Sequence, residues 1–269
     1  MIKALIIRNL QMYTRFFPVA LFLNRLLDAI FQLLGYWLIA HYLFNNKLVV
    51  SQVEVIDYFT FAAAGMLYYN VAVAILMNVG RSLMVEVREG TLESLFITPY
   101  SIFSYYIGVF IEQLGRTFME FCSLFIISIL LGAKFMATPI SYWLLSYVVI
   151  VLISFSMSVF VANIMLWLRD TFISQNTLFI LIFLVSGVTF PRTVLLDFLK
   201  CVGDLLPITY GLEIVRLISS GDLESLQLCL LIFKVLLLSL VFIVIGLLSY
   251  KKGGEESDRI FNNLGEFRC

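Results

Sequence analysis

The chain has 269 residues, of which 61% are hydrophobic and 13% charged, and its mean hydropathy is +1.00. Soluble domains are about 45–50% apolar and about 25% charged, so this composition excludes an ordinary water-soluble protein and predicts one that lipid solvates. The 18 basic and 18 acidic residues balance, which leaves no basic excess to bind nucleic acid, and four scattered cysteines with one histidine predict no metal site.

Residues 1–17 predict an amphipathic helix that lies in the membrane interface. Apolar residues recur at helical spacing, with Lys3, Arg8 and Arg15 between them. The two arginines interrupt the apolar runs and no small-residue cleavage site follows, so we do not expect a cleaved signal peptide. A simple extension of the first transmembrane helix is the alternative interpretation.

Six segments are long and apolar enough to cross a membrane, for which about 20 residues are needed. We therefore expect an all-α, polytopic membrane protein that forms a single transmembrane domain over residues 1–269. An even number of spans places both termini on one side. The predicted spans are 18–44, 57–80, 103–131, 142–168, 174–190 and 226–250.

The basic residues predict that both termini are cytoplasmic. Outside the spans, ten Lys and Arg residues lie on the side of the termini and five on the other side, which is the positive-inside pattern. We expect a multi-pass protein of the cytoplasmic (cell inner) membrane. The inner set is Lys3, Arg8, Arg15, Arg81, Arg88, Arg169, Lys251, Lys252, Arg259 and Arg268, and the outer set is Lys47, Lys134, Arg192, Lys200 and Arg216.

Residues 85–99, between the second and third spans, predict a short cytoplasmic helix. Thr91 can cap its N-terminus, Glu93 lies in its first turn, and Pro99 ends it. A helix this short is not stable alone in water, so its apolar face predicts docking against another protein. That face consists of Leu92, Leu95 and Phe96.

A helix that rests on the bilayer surface is the alternative for this segment. The acidic residues Glu86, Glu89 and Glu93 would fit poorly against an anionic leaflet. We therefore favour docking against a protein partner.

Residues 187–221, on the outer side, predict a re-entrant helical hairpin. Pro191 and Pro207 bracket an amphipathic stretch that contains Asp197, and Pro207 can open a second short helix with Arg216 on its polar face. Both helices are too polar to span, and such backbone is tolerated at membrane depth only where protein or a wet cavity covers it. A plain surface loop is the alternative.

Ionisable residues within the spans are costly and suggest function. Arg25 and Asp28 lie three residues apart in the first span and can pair. Glu112, Arg116 and Glu120 follow one another at four-residue spacing in the third span and form a charged stripe. These residues either line a transport pathway or form a structural ion-pair network.

Two aromatic residues near mid-depth in the second span, Tyr68 and Tyr69, are candidates for substrate contact. Aromatic packing in the core is the alternative, and the sequence favours it.

The two segments between spans resemble those of the ABC-2 type exporter permeases. The stretch from Glu86 to Pro99, with its Glu-x-Gly-Thr-Leu-Glu core, is similar to the coupling helix of that family. Phe190-Pro191, Asp197-Phe198-Leu199, Pro207-Ile208-Thr209-Tyr210-Gly211 and Arg216 are similar to its outer re-entrant segment. The likeness covers the whole chain.

The resemblance implies the permease subunit of an ATP-binding cassette exporter. Two permeases, identical or sister copies, would pair around a pathway, and two ATP-binding subunits that bind ATP and Mg would dock below. The substrate would be an amphiphile such as a drug, lipid or glycan. The implied ATPase-coupling residues are Glu86, Glu89, Gly90, Thr91, Leu92, Glu93, Leu95, Phe96 and Pro99, and the implied outer gate is Pro191, Asp197, Pro207, Thr209, Tyr210 and Arg216.

The residues themselves agree with a transport subunit that does not hydrolyse ATP. The chain has no Gly-x-x-x-x-Gly-Lys-Ser/Thr loop, so we expect no catalytic residue, metal or cofactor of its own. An ATP-independent secondary transporter or channel is the alternative, with the charged stripe as a proton relay, but the docking helix would then have no purpose. An intramembrane enzyme ranks last, because the spans contain no metal-ligand cluster and no Ser/His or Cys/His constellation.

Overall fold

The computed structural model describes residues 18–43, 57–91, 102–135, 139–168, 172–192, 195–220 and 225–266. These ranges are helical and contain no strand, which confirms the all-α class. The helices are α1 (Pro18–Leu38, continued by a π-helical turn at Ile39–Leu43), α2 (Tyr58–Glu89), α3 (Ile102–Leu130), α4 (Ile140–Leu168), α5 (Phe172–Val185), α6 (Asp197–Asp204), α7 (Pro207–Ser220) and α8 (Ser225–Glu266).

Four of the described helices contain segments long and apolar enough to cross a membrane. These segments match the second, third, fourth and sixth predicted spans. The helices α1 and α5 lie where the first and fifth spans are predicted but are not among the four, and α5 has only 14 residues. The count of six therefore stays a prediction, and the interfacial helix at 1–17 lies outside the described residues. The four segments are Tyr58–Glu86, Phe103–Leu130, Ile140–Met165 and Leu226–Ser249.

The centre of the bundle is α2. Its consecutive small residues Ala62, Ala63, Ala64 and Gly65 are buried or closely packed and let neighbouring backbones approach, as is typical of helix contacts in membranes. Both α2 and α4 are buried over most of their length, whereas α8 is exposed over most of its span. The helices α3, α4, α5 and α7 all contact α2.

Contacts between side chains show the direction of each helix relative to α2. The Tyr68 hydroxyl donates to the Trp143 carbonyl, 3.0 Å away near the start of α4, and a β-carbon on Gly80, later in α2, would lie 3.5 Å from Val161, later in α4, so α2 and α4 are parallel. Tyr105, near the start of α3, donates to Glu86 near the end of α2 at 3.2 Å, and Asn78, earlier in α2, donates to Gln113, later in α3, at 3.0 Å, so α2 and α3 are antiparallel. The bundle thus has an Asp57 end, where α2 and α4 begin, and a Glu86 end, where α2 ends and α3 begins.

The last helix runs in the same direction as α4. The Asn163 side-chain amide donates to the Gly246 carbonyl of α8 at 2.8 Å, and Lys234, nearer the start of α8, contacts Tyr210 of α7 at the Asp57 end. At that same end, Lys134 forms an ion pair with Asp57 at 2.7 Å. The turn between α3 and α4 is thereby joined to the start of α2.

Gly65 allows two backbones to approach each other closely. A β-carbon at this position would overlap the carbonyl oxygen of Val188, in the turn that follows α5. The absence of a side chain is what lets this turn lie directly on α2.

We expect Gly65→Ala to destabilise the protein, because the added methyl group must displace backbone rather than a flexible side chain. Overpacking of this kind costs about 1–3 kcal/mol, which would appear as a lower thermal midpoint in detergent. The matched control is Gly115→Ala on α3, where a β-carbon would meet no atom within 4 Å. If the two variants unfold at the same temperature, the contact between Gly65 and Val188 is not present.

Candidate functional sites

The helix α2 ends in a Schellman motif at Gly90 and Thr91. Gly90 has a φ of +69°, a left-handed conformation that glycine adopts without strain. The Thr91 N–H donates to the Glu86 carbonyl at 3.0 Å, which is the 6→1 bond of this motif. Thr91 therefore closes α2. Its predicted capping role concerns the residues after it, which are not described, and stays a prediction.

The Glu86 side chain lies inside the bundle and accepts hydrogen bonds from two segments. It is 4% exposed. The Thr91 hydroxyl donates to its Oε2, and the Tyr105 hydroxyl donates to its Oε1 at 3.2 Å. A buried carboxylate is costly without such donors, so these two contacts explain how Glu86 is tolerated there.

The other predicted coupling residues separate into exposed and undescribed groups. Glu89 and Gly90 are exposed at the Glu86 end. Five further coupling residues lie outside the described ranges, so the predicted apolar face stays a prediction. They are the face residues Leu92, Leu95 and Phe96 and their neighbours Glu93 and Pro99.

At the Asp57 end, the chain between α5 and α8 folds onto the bundle as the two short helices α6 and α7. Pro207 is the first residue of α7, as its sequence position predicts. The α6 side exposes apolar residues such as Phe198, whereas α7 packs against α2, α4 and α8. The buried face of α7 includes Ile208, Leu212, Ile214, Val215 and Ile218, each at most 1% exposed.

Arg192, which directly follows Pro191, joins these two helices. Its Nη1 donates to Glu213 of α7 at 2.5 Å, and its Nη2 donates to Asp204 of α6 at 2.5 Å. The arginine side chain is 16% exposed, Glu213 is 30% exposed and Asp204 53% exposed. The planar, forked guanidinium suits two carboxylates at once. We call these three residues the Arg192 clamp.

The clamp has a defined pH dependence. The hydrogen bond from Arg192 lowers the pKa of the Asp204 carboxyl, against the opposing effect of burial. Because the folded-state pKa is the lower one, the contact stabilises the fold at pH values above the unfolded value of about 3.9. This stabilisation is lost as the pH falls through the folded-state value, so the clamp is intact at neutral pH.

Two predicted gate residues, Tyr210 and Thr209, link α7 to its surroundings. The Tyr210 hydroxyl donates to the Asp204 carbonyl at 3.2 Å, and the Lys234 ammonium of α8 lies 4.1 Å from the centre of the Tyr210 ring, a favourable cation–π distance. Thr209 donates to the Ser186 hydroxyl at 3.3 Å. The start of α7 is thus joined to α6, α8 and the turn after α5.

The remaining charged gate residues occupy different environments. Arg216 of α7 donates to the Gly187 carbonyl, and its guanidinium carbon lies 4.5 Å from the centre of the Phe61 ring of α2. Asp197, in contrast, pairs with Lys200 on the exposed side of α6 at 2.9 Å. Arg216 therefore fixes α7 to the core, whereas Asp197 contributes a surface ion pair.

The structure pairs two residues of the charged stripe of α3 and buries the third. Arg116 forms an ion pair with Glu112, one helical turn earlier, and this compensation favours the structural interpretation for those two residues. Glu120 is 9% exposed. Asp28 is exposed on α1, and the side chain of Arg25 lies outside what the structure describes, so their pairing stays a prediction. A small pocket beside Glu120 is lined by Leu26, Ala29, Asn70 and Leu124.

The two tyrosines considered as substrate contacts make hydrogen bonds between helices. The Tyr68 hydroxyl bonds to the Trp143 carbonyl at 3.0 Å and shares a hydrogen bond of 2.7 Å with Ser146. Tyr69 donates to the Phe179 carbonyl of α5 at 2.9 Å. These contacts favour the core-packing interpretation.

Sequence inspection missed two polar contacts across the bundle. Asn78 of α2 donates to the Gln113 side-chain carbonyl of α3 at 3.0 Å. Thr117 of α3 and Tyr147 of α4 share a hydrogen bond of 3.2 Å. Amides and hydroxyls within apolar spans commonly form hydrogen bonds between helices. The occurrence of these polar residues inside predicted spans could therefore have indicated such contacts.

These features define the class: an all-helical, multi-pass membrane protein with polar contacts buried between its helices. No group of three His, Cys, Asp or Glu residues within the described ranges is arranged to hold a metal ion. Residues 1–219 match the family model described as ABC-2 type transporter, so the chain belongs to that family and is a transport permease. Such permeases generally work with an ABC ATPase. No individual curated protein matches the chain.

Replacing Arg192 by glutamine should loosen the hairpin of α6 and α7, because two carboxylates lose their shared cation. Hydrogen bonds to charged groups contribute about 1.5–3 kcal/mol when buried, and the exposure of Asp204 places this loss near the lower limit. Hydrogen–deuterium exchange of peptides covering residues 195–220 should accelerate.

The matched control is Lys200→Gln, which removes the exposed pair with Asp197 on the same helix. Exposed pairs contribute about 0–1 kcal/mol, so exchange should barely change. Equal exchange in both variants would show that Arg192 does not join the two helices.

Proposed function

We propose that this chain is the membrane subunit of an ABC exporter and that a separate ATP-binding subunit drives it through residues 85–99. The observation that carries the proposal is the end of α2. The docking segment overlaps the end of a long core helix, which Gly90 and Thr91 close, so force on the segment would act directly on the centre of the bundle.

We place the Glu86 end in the cytoplasm. Arg81 and Arg88 are exposed at this end, and α8 continues past its membrane-length segment with Lys251 and Lys252, which fits the positive-inside rule. This orientation, with six spans, puts both termini in the cytoplasm and the Asp57 end outside. The membrane is the cytoplasmic membrane.

Labelling of single cysteines with a membrane-impermeant maleimide tests this orientation. The native Cys201 is exposed on α6 and should react in intact cells once Cys122, Cys229 and Cys269 are replaced. Glu89→Cys in a chain without other cysteines should react only after the cells are permeabilised. The opposite pattern would place the docking segment outside and overturn the proposed mechanism.

The α6–α7 hairpin serves, in this proposal, as the outer gate. Ile150 lies about ten residues after the start of α4, which is about 15 Å along the helix at 1.5 Å per residue. Gly211 of α7 reaches this level, because a β-carbon on Gly211 would lie 2.6 Å from the Ile150 side chain. This depth is about half of a hydrocarbon core of roughly 30 Å. Because α7 is covered by other helices, it can lie at this depth without exposing its backbone to lipid.

We place the pathway between two permease copies rather than within one. Aromatic side chains fill the space between α2, α3 and α4: the Tyr68 ring lies 5.2 Å from that of Phe121 and 6.3 Å from that of Trp143. The second copy is identical or a sister chain. Two ATP-binding subunits bind ATP and Mg, and the exported substrate is an amphiphile of the drug, lipid or glycan type.

The double substitution Leu95→Ala and Phe96→Ala should abolish capture of the ATP-binding subunit, because it removes the proposed apolar docking face. Co-purification from membranes measures this, with insertion verified by the fluorescence of a fused reporter. The matched control is Leu230→Ala with Phe233→Ala, two exposed apolar residues of α8, which should leave capture unchanged. Undiminished capture by the first variant, or transport by the purified chain alone down an ion gradient, would contradict the proposal.

A further inference from the structure

Residues on either side of 92–101, the stretch that contains the apolar face of the docking segment, meet at one carboxyl group. Thr91 lies directly before residues 92–101, and Tyr105 lies just after them, in the first turn of α3. Each donates its hydroxyl to Glu86, Thr91 to Oε2 and Tyr105 to Oε1. A side chain of α2 therefore binds the chain where it leaves for the docking segment and where it returns.

The surroundings of Glu86 make these contacts strong. Glu86 is 4% and Tyr105 3% exposed, so water competes little for the hydrogen bonds. In the low dielectric of a protein interior, a hydrogen bond is stronger than it would be in water. The Tyr105 hydroxyl is also 3.3 Å from the Ser82 carbonyl, one turn earlier on α2, which holds the ring against that helix.

Glu86 and Glu89 differ in their exposure to solvent. Glu89 is exposed and available to a partner, whereas the Glu86 carboxylate points into the bundle and already accepts two hydroxyls. The two glutamates of the same motif thus have different surroundings, and Glu89 is the one exposed for direct contact with a docked protein.

We propose that Glu86 is a positioning residue that fixes Thr91 and Tyr105, the described residues on either side of 92–101, to α2. Only the role of this attachment rests on the proposed function. When the ATP-binding subunit pushes on the docking segment, the attachment makes α2 and α3 move together, so that the movement is not lost in the chain between them. Glu86 does not bind the ATP-binding subunit. It sets the position from which the segment binds.

Hydrogen–deuterium exchange on the full chain in lipid nanodiscs, without any ATPase, tests the geometry. Glu86→Ala should raise exchange about tenfold or more in peptides covering residues 87–91 and 102–106, since this is the change expected when hydrogen bonds to a charged group are lost. Glu86→Gln retains acceptor and donor atoms for both hydroxyls and should exchange within about threefold of the original chain.

Tyr105→Phe removes one of the two hydroxyls while keeping the ring, and should raise exchange in 102–106 more than in 87–91. This variant decides the question if Glu86→Ala does not fold. The matched control is Tyr147→Phe, which removes the hydroxyl contact to Thr117 elsewhere on α3 and should leave both peptides unchanged. Unchanged exchange in Glu86→Ala, or in Tyr105→Phe, overturns the inference.

Capture of the ATP-binding subunit separates this inference from the proposed function. Glu86→Gln should capture it as well as the original chain does, although it lacks the charge. If Glu86→Gln fails to capture while its exchange is normal, the carboxylate contacts the partner and the positioning role is wrong. If the original chain captures no ATPase while the exchange results hold, the proposed function fails and the attachment at Glu86 stands.

Discussion

Lipid offers neither donors nor acceptors of hydrogen bonds, and this constraint determines where the polar groups of the bundle lie. The hydroxyls of Ser154 and Ser158 bond to carbonyls of their own helix at 2.6 and 2.7 Å. Larger polar groups bond between helices instead, as Tyr68 does with α4 and Asn163 with α8. The same side chains that lipid would penalise therefore determine which helices are neighbours and in which register.

The two ends of the bundle satisfy their buried polar groups in different ways. At one end, the Glu86 carboxyl group accepts hydrogen bonds from two hydroxyls, and at the other, the Arg192 guanidinium forms ion pairs with two carboxylates. The helix α2 reaches both ends, because Gly65 and Phe61 near its start support the turn after α5 and Arg216 of α7. In the proposed mechanism, α2 thus connects the docking segment to the α6–α7 hairpin.

Sequence periodicity predicted the long helices well, because an apolar run of membrane length has few alternatives in this composition. It ended α2 too early, at residue 80, whereas the helix continues to Glu89. The charged residues after position 80 looked like the start of a loop, but exposed charges are compatible with a helix that leaves the membrane. The first residue that requires a left-handed backbone is Gly90, and the helix ends there.

The direction of a side chain was harder to predict than its element. Glu86 and Glu89 occur in one motif and were assigned one role, yet Glu86 is buried and Glu89 exposed. Arg192 was counted only as an outer basic residue, because its partners Asp204 and Glu213 follow 12 and 21 residues later. Such pairings depend on how α6 and α7 fold back, which local patterns do not contain.

The length of α8 has a mechanical consequence. This helix has 42 residues, whereas its membrane-length segment ends at Ser249, so about 25 Å of helix continues beyond that point at 1.5 Å per residue. A rod of this length amplifies rotation: a tilt of about 10° at Ser249 carries its far end sideways by roughly 4 Å. Small reorientations of α8, which touches the α6–α7 hairpin through Lys234, are thereby enlarged at the far end of this helix.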